Sequence, residues 1–213
     1  MYVPAHFAET RVPVLHDAIR RSGIATLVTA GSGGLEASHI PMLLDPDPKP
    51  YGTLLCHVAR DNPQWRHAGE GESLAIFLGP DAYVSPSTYA SKARNPRVVP
   101  TWNYVAIHAY GRLQWFDDEA RLRDLVSRLT QRQEASREKP WAVDDAPDDY
   151  VRGMLRAIIG LALPITRLEG KWKMSQNRPP EDRVSAAAAL TRDGNEDIAS
   201  LITGASRRQA LDP

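Results

Sequence analysis

The stretch from Val98 to Phe116 constrains the fold most, because it alternates at the two-residue period of an extended strand and its two faces differ in chemistry. One face carries Val105, Ile107, Ala109, Gly111, Leu113 and Trp115 and reads as core. The other carries Trp102, Tyr104, His108, Tyr110, Arg112 and Gln114. That set is too aromatic for plain solvent and too polar for a sealed core, so a subunit interface or a ligand surface suits it best.

The segments around this strand are mostly further strands. Ile24 to Ala30 is β-branched, Gly31-Ser32-Gly33-Gly34 supplies a turn, and Leu35 to Leu44 reads as the returning strand of a hairpin. Asp45-Pro46-Asp47-Pro48-Lys49-Pro50 cannot continue a ladder, because proline has no donor. Gly52 to Val58 and Ser73 to Leu78 follow as strands. Leu161, Leu163 and Ile165 alternate, and Leu168, Gly170, Trp172 and Met174 alternate in the opposite phase, which places a bulge or bend near Thr166.

Helices are expected from Thr10 to about Ser22, from Asp117 or Asp118 to about Gln133, from Asp148 to Ile158, from Pro180 to Leu190, and from Glu196 to Ile202. Strands and helices do not alternate regularly, which argues against a doubly wound parallel sheet. The pattern predicts a mainly β chain with peripheral helices (α+β), a small antiparallel barrel.

Charge limits the partners. Twenty-six Lys+Arg against twenty-six Asp+Glu give a formal net charge of zero, whereas domains that wrap nucleic acid electrostatically are usually basic. The longest uncharged apolar stretch, Ala157 to Ile165, is too short to cross a bilayer, and the first ten residues have no signal-like apolar core, so a cytoplasmic location with no membrane partner is expected. Cys56 is the one cysteine, which excludes an internal disulfide framework or a Cys-rich zinc site.

Within this neutral chain, the 35 residues from Ala82 to Phe116 contain no Asp or Glu but do contain Lys92, Arg94, Arg97 and Arg112. Lys171, Lys173 and Arg178 add three cations around Trp172, Ser175, Gln176 and Asn177. Such a set can recognise an anionic group on a flat ring through charge-assisted hydrogen bonds and aromatic faces. Solvated surface charge is the alternative reading. The run from His57 to Trp65 follows a strand directly, where backbone N–H groups and Arg60 can hold a phosphate; a buried histidine with a capping Asn62 is the bland alternative. The Gly31 to Gly34 turn lacks the Lys-Ser/Thr of a P-loop, the six histidines never take a short metal-ligand spacing, and no serine lies in a G-x-S-x-G elbow. No metal site is expected, and no catalytic residue is identified.

Six segments together carry a family resemblance: Met1-Tyr2-Val3-Pro4-Ala5-His6-Phe7, Glu36 to Pro41, His57 to Trp65, Gly79 to Ser87, Val99 to Tyr104, and Lys171 to Arg178. In the same order and spacing, the chain resembles the PaiB family of FMN-binding negative transcriptional regulators, from its first residues to about Ile202. The resemblance implies an FMN-binding split β-barrel, pyridoxamine-phosphate-oxidase-like in architecture, forming a homodimer with FMN at the subunit interface. Residues 1–204 would be one such domain with C-terminal helices, and 205–213 a tail. Carried over by segment, the phosphate would lie near His57, Arg60 and Asn62, with Lys173, Ser175 and Asn177 closing over the site. Ser38, His39, Trp102 and Asn103 would flank the isoalloxazine or ribityl chain.

The family implies a repressor, yet the chain shows no helix-turn-helix signature, so DNA contact is expected to be weak or indirect. An FMN-dependent oxidoreductase on the same barrel is the alternative. A haem-handling split barrel, with His39 or His108 as axial ligand, is a third.

Overall fold

The computed structural model describes the backbone of residues 1–209 and the side chains of residues 1–204. Nine strands carry the fold: β1 (Ala8–Glu9), β2 (Ala25–Gly31), β3 (Gly34–Ile40), β4 (Leu43–Asp45), β5 (Thr53–Ala59), β6 (Ser73–Val84), β7 (Thr101–Gly111), β8 (Gln114–Phe116) and β9 (Ile158–Lys173). Six helices accompany them: α1 (Val12–Arg21), α2 (Gln64–His67), α3 (Glu119–Glu134), α4 (Asp148–Leu155), α5 (Pro180–Arg192) and α6 (Glu196–Gln209). The hydrogen-bonded order is β3-β2-β6-β7-β9-β5-β4, with β1 and β8 also paired to β9. The recorded registers are antiparallel, which agrees with a mainly antiparallel sheet edged by helices.

Two compact units share these elements. The first consists of Met1–Arg11, Leu78–Ile107 and the described part of Glu169–Pro213; the second consists of Val12–Phe77 and His108–Leu168. In the second unit, β2 and β3 form the expected hairpin, from Ala25↔Ile40 to Gly31↔Gly34. Gly31 is required there, because a Cβ would lie 1.6 Å from the carbonyl oxygen of His67. That carbonyl accepts the Ser32 N–H at 3.2 Å, and Gly69 N–H donates to Ala30 O at 2.9 Å. β5 pairs with β9 from Thr53↔Pro164 to Ala59↔Ile158. Leu122, Val143, Val151 and Leu155 bury one cluster against Phe116, Val126, Ala146 and Ile158, each fully buried aliphatic side chain contributing roughly 1.5–3 kcal/mol. Asp118 starts α3 by accepting the Arg121 N–H at 2.8 Å.

In the first unit, α5 and α6 bury Ala186, Ala187, Ala189, Leu190, Ile198, Ala199 and Ile202. The Asp182 carboxylate, at the start of α5, accepts from Ser91 N at 2.8 Å and Ser91 Oγ at 2.7 Å. Ala8↔Lys171 and Glu9↔Gly170 tie the N-terminal segment to the end of β9.

Four boundaries differ from the sequence expectations, each for a local reason. The strand expected over Leu35–Leu44 is two strands, because Pro41 interrupts it; β4 then pairs with β5. β6 runs past Leu78 to Val84, through Gly79 and Pro80. α4 stops at Leu155, because Ile158 already pairs with Ala59 in β9. α6 continues past Ile202 to Gln209. The phase change near Thr166 is present without a break in the strand: Thr166 and Arg167 are consecutive exposed residues within β9. On β7, Val105, Ile107 and Ala109 are buried whereas Trp102, Tyr104, His108 and Tyr110 retain exposure, so the two-faced pattern holds.

Candidate functional site

Five of the ten predicted site residues fall in each unit, and each set has its own geometry. In the second unit, β5 delivers His57 opposite Gly160, and the chain then turns into α2 through Arg60 N–H donating to Ala157 O at 2.8 Å and Asn62 N–H donating to Ala59 O at 2.9 Å. Asn62 Oδ1 accepts the Gln64 N–H at 2.9 Å, the Asx arrangement that starts such a helix, while its Nδ2 donates to Ser38 Oγ on β3 at 2.9 Å. The turn is braced from behind: the buried Gln64 Nε2 donates to Leu27 O and Thr29 Oγ1 at 3.1 Å each, and to Glu36 O at 3.3 Å. Trp65 Nε1 donates to Arg60 O at 2.8 Å.

The Arg60 guanidinium is only partly committed. Its Nε donates to Arg156 O at 2.7 Å and one Nη to Ile158 O at 3.2 Å, whereas the other Nη stands 3.8 Å from Asp117 Oδ2, beyond hydrogen-bond length. The buried His57 Nδ1 has no hydrogen-bond partner among the described residues. Burial holds the His57 pKa below the ordinary imidazole value, so the ring favours its neutral form. Ser38 and Asn62 are thus joined across β3 and the turn, while His57 lies near the end of β5 and Arg60 opens the turn that follows it, so this segment supplies a hydroxyl, an amide, an imidazole and a guanidinium. His39, next to Ser38 but on the opposite face of β3, is exposed and pairs through Nδ1 with Thr26 Oγ1 at 3.0 Å. His108 Nδ1 lies 3.2 Å from Tyr110 Oη. Among the described residues no group of three or more His, Cys, Asp or Glu could hold a metal ion. Cys56 is buried, and its thiol is pushed up by burial, which disfavours a reactive thiolate.

In the first unit, Trp102 Nε1 donates to Asp81 Oδ1 at 2.9 Å and its ring centroid lies 6.0 Å from that of Tyr83. Asn103 and Ser175 are both buried and bonded to each other: Asn103 Nδ2 donates to Ser175 Oγ at 3.0 Å. Ser175 has φ 59°, in the left-handed region, and the turn around it is closed by Arg178 N–H donating to Ser175 O. Lys173 Nζ donates to Thr101 Oγ1 at 2.5 Å and to Trp102 O at 2.9 Å. Asn177 is exposed. Sequence reasoning missed one participant. Gln64 was read only as part of a motif, although its side chain braces the Arg60–Asn62 turn. Lys171, which the sequence offers with Lys173 and Arg178 as a cation for an anionic group, is buried on the same face of β9 as Lys173.

The family described as "Putative FMN-binding domain" matches residues 1–167. The chain belongs to this family. As a member of the FMN-binding family it takes FMN as its cofactor, and the donor set at the end of β5 fits a flavin phosphate in chemistry. Two of its relatives span nearly its whole length. An uncharacterised protein of Aspergillus fumigatus is 34% identical, covering 92% of this chain and 93% of its own. The "Protease synthase and sporulation protein PAI 2" of Bacillus subtilis (strain 168) is 29% identical, covering 92% of this chain and 91% of its own, which bears out the PaiB resemblance. Among solved structures, the flavocytochrome Anf3 from Azotobacter vinelandii superposes with a TM-score of 0.57 at 13% identity, covering 80% of this chain and 72% of that one. A Mycobacterium smegmatis FAD and heme binding protein gives 0.54 at 17%, covering 78% and 73%. These likenesses show the fold of this FMN-binding family member, a split barrel with helices.

Proposed function

We propose that the chain is a PaiB-like negative transcriptional regulator that works in the cytoplasm as a homodimer and responds through its bound flavin, with residues 1–204 acting as one flavin-binding domain. The observation that carries the flavin placement is the partly committed Arg60, in the turn that leaves the strand carrying the orphaned His57 Nδ1. A guanidinium held by two backbone carbonyls, with a third donor left over, is preorganised for a phosphate at little further entropic cost. Asn62 and Ser38, already bonded to each other, orient a polar edge for the ribityl chain or phosphate, and His39 lies one position farther along β3. When bound, FMN supplies reversible one- and two-electron chemistry; the residues of this chain bind and orient it.

The dimer reading draws on Trp102 and Tyr83, which are 50% and 52% exposed and in ring contact, with Val99 also exposed in the same unit. A second copy covering these rings would place Trp102 at a subunit interface. Regulation draws on the full-length likeness to PAI 2 of Bacillus subtilis.

The test is Arg60→Ala with FMN and riboflavin compared by flavin fluorescence. FMN affinity is expected to fall roughly tenfold to a hundredfold, the loss of a charge-assisted contact of about 1.5–3 kcal/mol, with riboflavin unchanged. Equal losses for both ligands would move Arg60 out of the phosphate site.

A further inference from the structure

Lys171 sits on β9 with only 8% of its surface exposed, yet no carboxylate lies within ion-pair distance of its ammonium among the described residues. Nζ donates to Tyr2 O at 3.1 Å and faces the rings of Tyr2 at 5.7 Å and Tyr104 at 5.2 Å. Buried charges are normally paired, because desolvating an ion costs several kcal/mol that rings and one carbonyl offset only in part. The acids of β1, β9 and the start of α5 are engaged elsewhere. Glu169 holds the N-terminal ammonium at 2.6 Å, Glu9 holds Arg11, and Asp182 holds Ser91.

Two further cations share this corner of the first unit. Lys173 lies two residues along the same strand face, 6.0 Å from the Tyr104 ring. Arg178 stacks on Tyr89 at 4.8 Å and donates to Val99 O at 3.2 Å. The Lys173 pKa is held below its ordinary value, by burial first and then by the positive charges of Lys171 and Arg178, so the three groups feel one another. The turn that joins Lys173 to Arg178 contains Ser175 in its left-handed conformation, pinned by the buried Asn103. Left-handed backbone at a non-glycine residue is costly and persists where the surroundings enforce it, often at ligand sites.

We infer that Lys171, Lys173 and Arg178, walled by Tyr104, form an anion site of the first unit that takes the phosphate group of a small molecule other than FMN. A phosphate carries between one and two negative charges at neutral pH and offers three acceptor oxygens, which suits three neighbouring cations better than a carboxylate does. The inference rests on the placement of the flavin phosphate at Arg60, and the comparison of FMN with riboflavin below keeps failure of that placement distinguishable from failure of this site.

The experiment titrates inorganic phosphate, and acetate as a monoanion control, into the FMN-loaded protein by calorimetry. Saturable phosphate binding at least tenfold tighter than acetate is expected. Lys171→Met and Arg178→Gln should each weaken phosphate roughly tenfold to a hundredfold, Lys171→Arg should largely restore it, and the visible flavin spectrum should stay that of the parent. No phosphate binding by the parent, or parent-like binding by both variants, overturns the site. If Lys171→Met instead loses FMN while keeping riboflavin, the cluster is the seat of the flavin phosphate and the separate site is overturned. Circular dichroism on each variant, with Arg178→Gln as a second lesion outside the β9 strand, separates misfolding from loss of binding.

Discussion

Asn103 and Ser175 are joined by hydrogen bonds in both directions, 3.0 Å from Asn103 Nδ2 to Ser175 Oγ and 3.2 Å from Ser175 Oγ to Asn103 Oδ1, across 72 residues of chain. The pair is fully buried, and one member holds a left-handed backbone. Removing one partner leaves a buried polar group unsatisfied, which costs about 1–3 kcal/mol. Asn103→Ala is therefore expected to lower the unfolding free energy from urea titration by about that amount, with a lower midpoint and an unchanged slope. Ser175→Gly loses the same bond but relieves the backbone, so it should cost less than Ser175→Ala, which keeps the strain. Chemical unfolding of the three variants checks the order; Ser175→Gly less stable than Ser175→Ala would contradict it.

That pair also marks where the sequence stops being legible. Both residues were singled out by segment, but no pattern in a linear string joins positions 103 and 175. The β7 strand was readable, because its alternation is written into side-chain size and polarity at period two. The division of Leu35–Leu44 turned on Pro41, a local signal whose effect depended on β4 finding β5. Arg60 was readable as a cation near a strand end, but its commitment to the carbonyls of Arg156 and Ile158 was not, because main-chain acceptors carry no sequence mark. The burial of Lys171 was hidden by its residue type: lysines are seldom buried, so composition argues for a solvated reading.

His57 gives the fold a pH dependence with a definite sign. Its pKa is lowered in the folded chain by burial, from an ordinary value of 6.5, so below that value the unfolded chain binds more protons than the folded one. The stability held by neutral His57 is thus present above pH 6.5 and is lost as pH falls from there toward the folded pKa. His57→Gln should flatten this acid-side decline in a series of thermal unfolding scans. With FMN seated at Arg60, a phosphate nearby would favour the imidazolium, so the titration midpoint of His57, followed by NMR, is expected to rise on adding FMN and to stay put on adding riboflavin.

Trp102 and Tyr83 make the homodimer testable. Trp102 is held in place by its bond to Asp81, so the exposed ring is preordered and loses little entropy on being covered. Sedimentation at micromolar concentration should give about twice 23.6 kDa for the parent chain. Tyr83→Glu or Trp102→Glu at the centre of such an interface should weaken association by at least about 2 kcal/mol, roughly thirtyfold. A parent protein that sediments as a monomer while holding FMN would remove the interface.

Direct, sequence-specific DNA binding by the purified protein is expected to be weak or absent. The chain is neutral overall, and the C-terminal helices present few exposed cations among the described side chains. Arg183 is buried, and Arg192 remains exposed at the end of α5. Arg207, Arg208 and Asp212 lie outside the described side chains. Acidic Glu181, Asp193, Glu196 and Asp197 share the same helices and their junction. Whatever phosphate contacts form should show a salt dependence of about −0.9 per phosphate neutralised, and with so few free cations the slope should be shallow. Titrating labelled promoter DNA at near-physiological salt decides between direct and indirect action of the proposed regulator. Binding that is micromolar or weaker and lost to non-specific competitor fits a regulator acting through another molecule. Nanomolar binding that survives the competitor would make this chain the DNA reader itself.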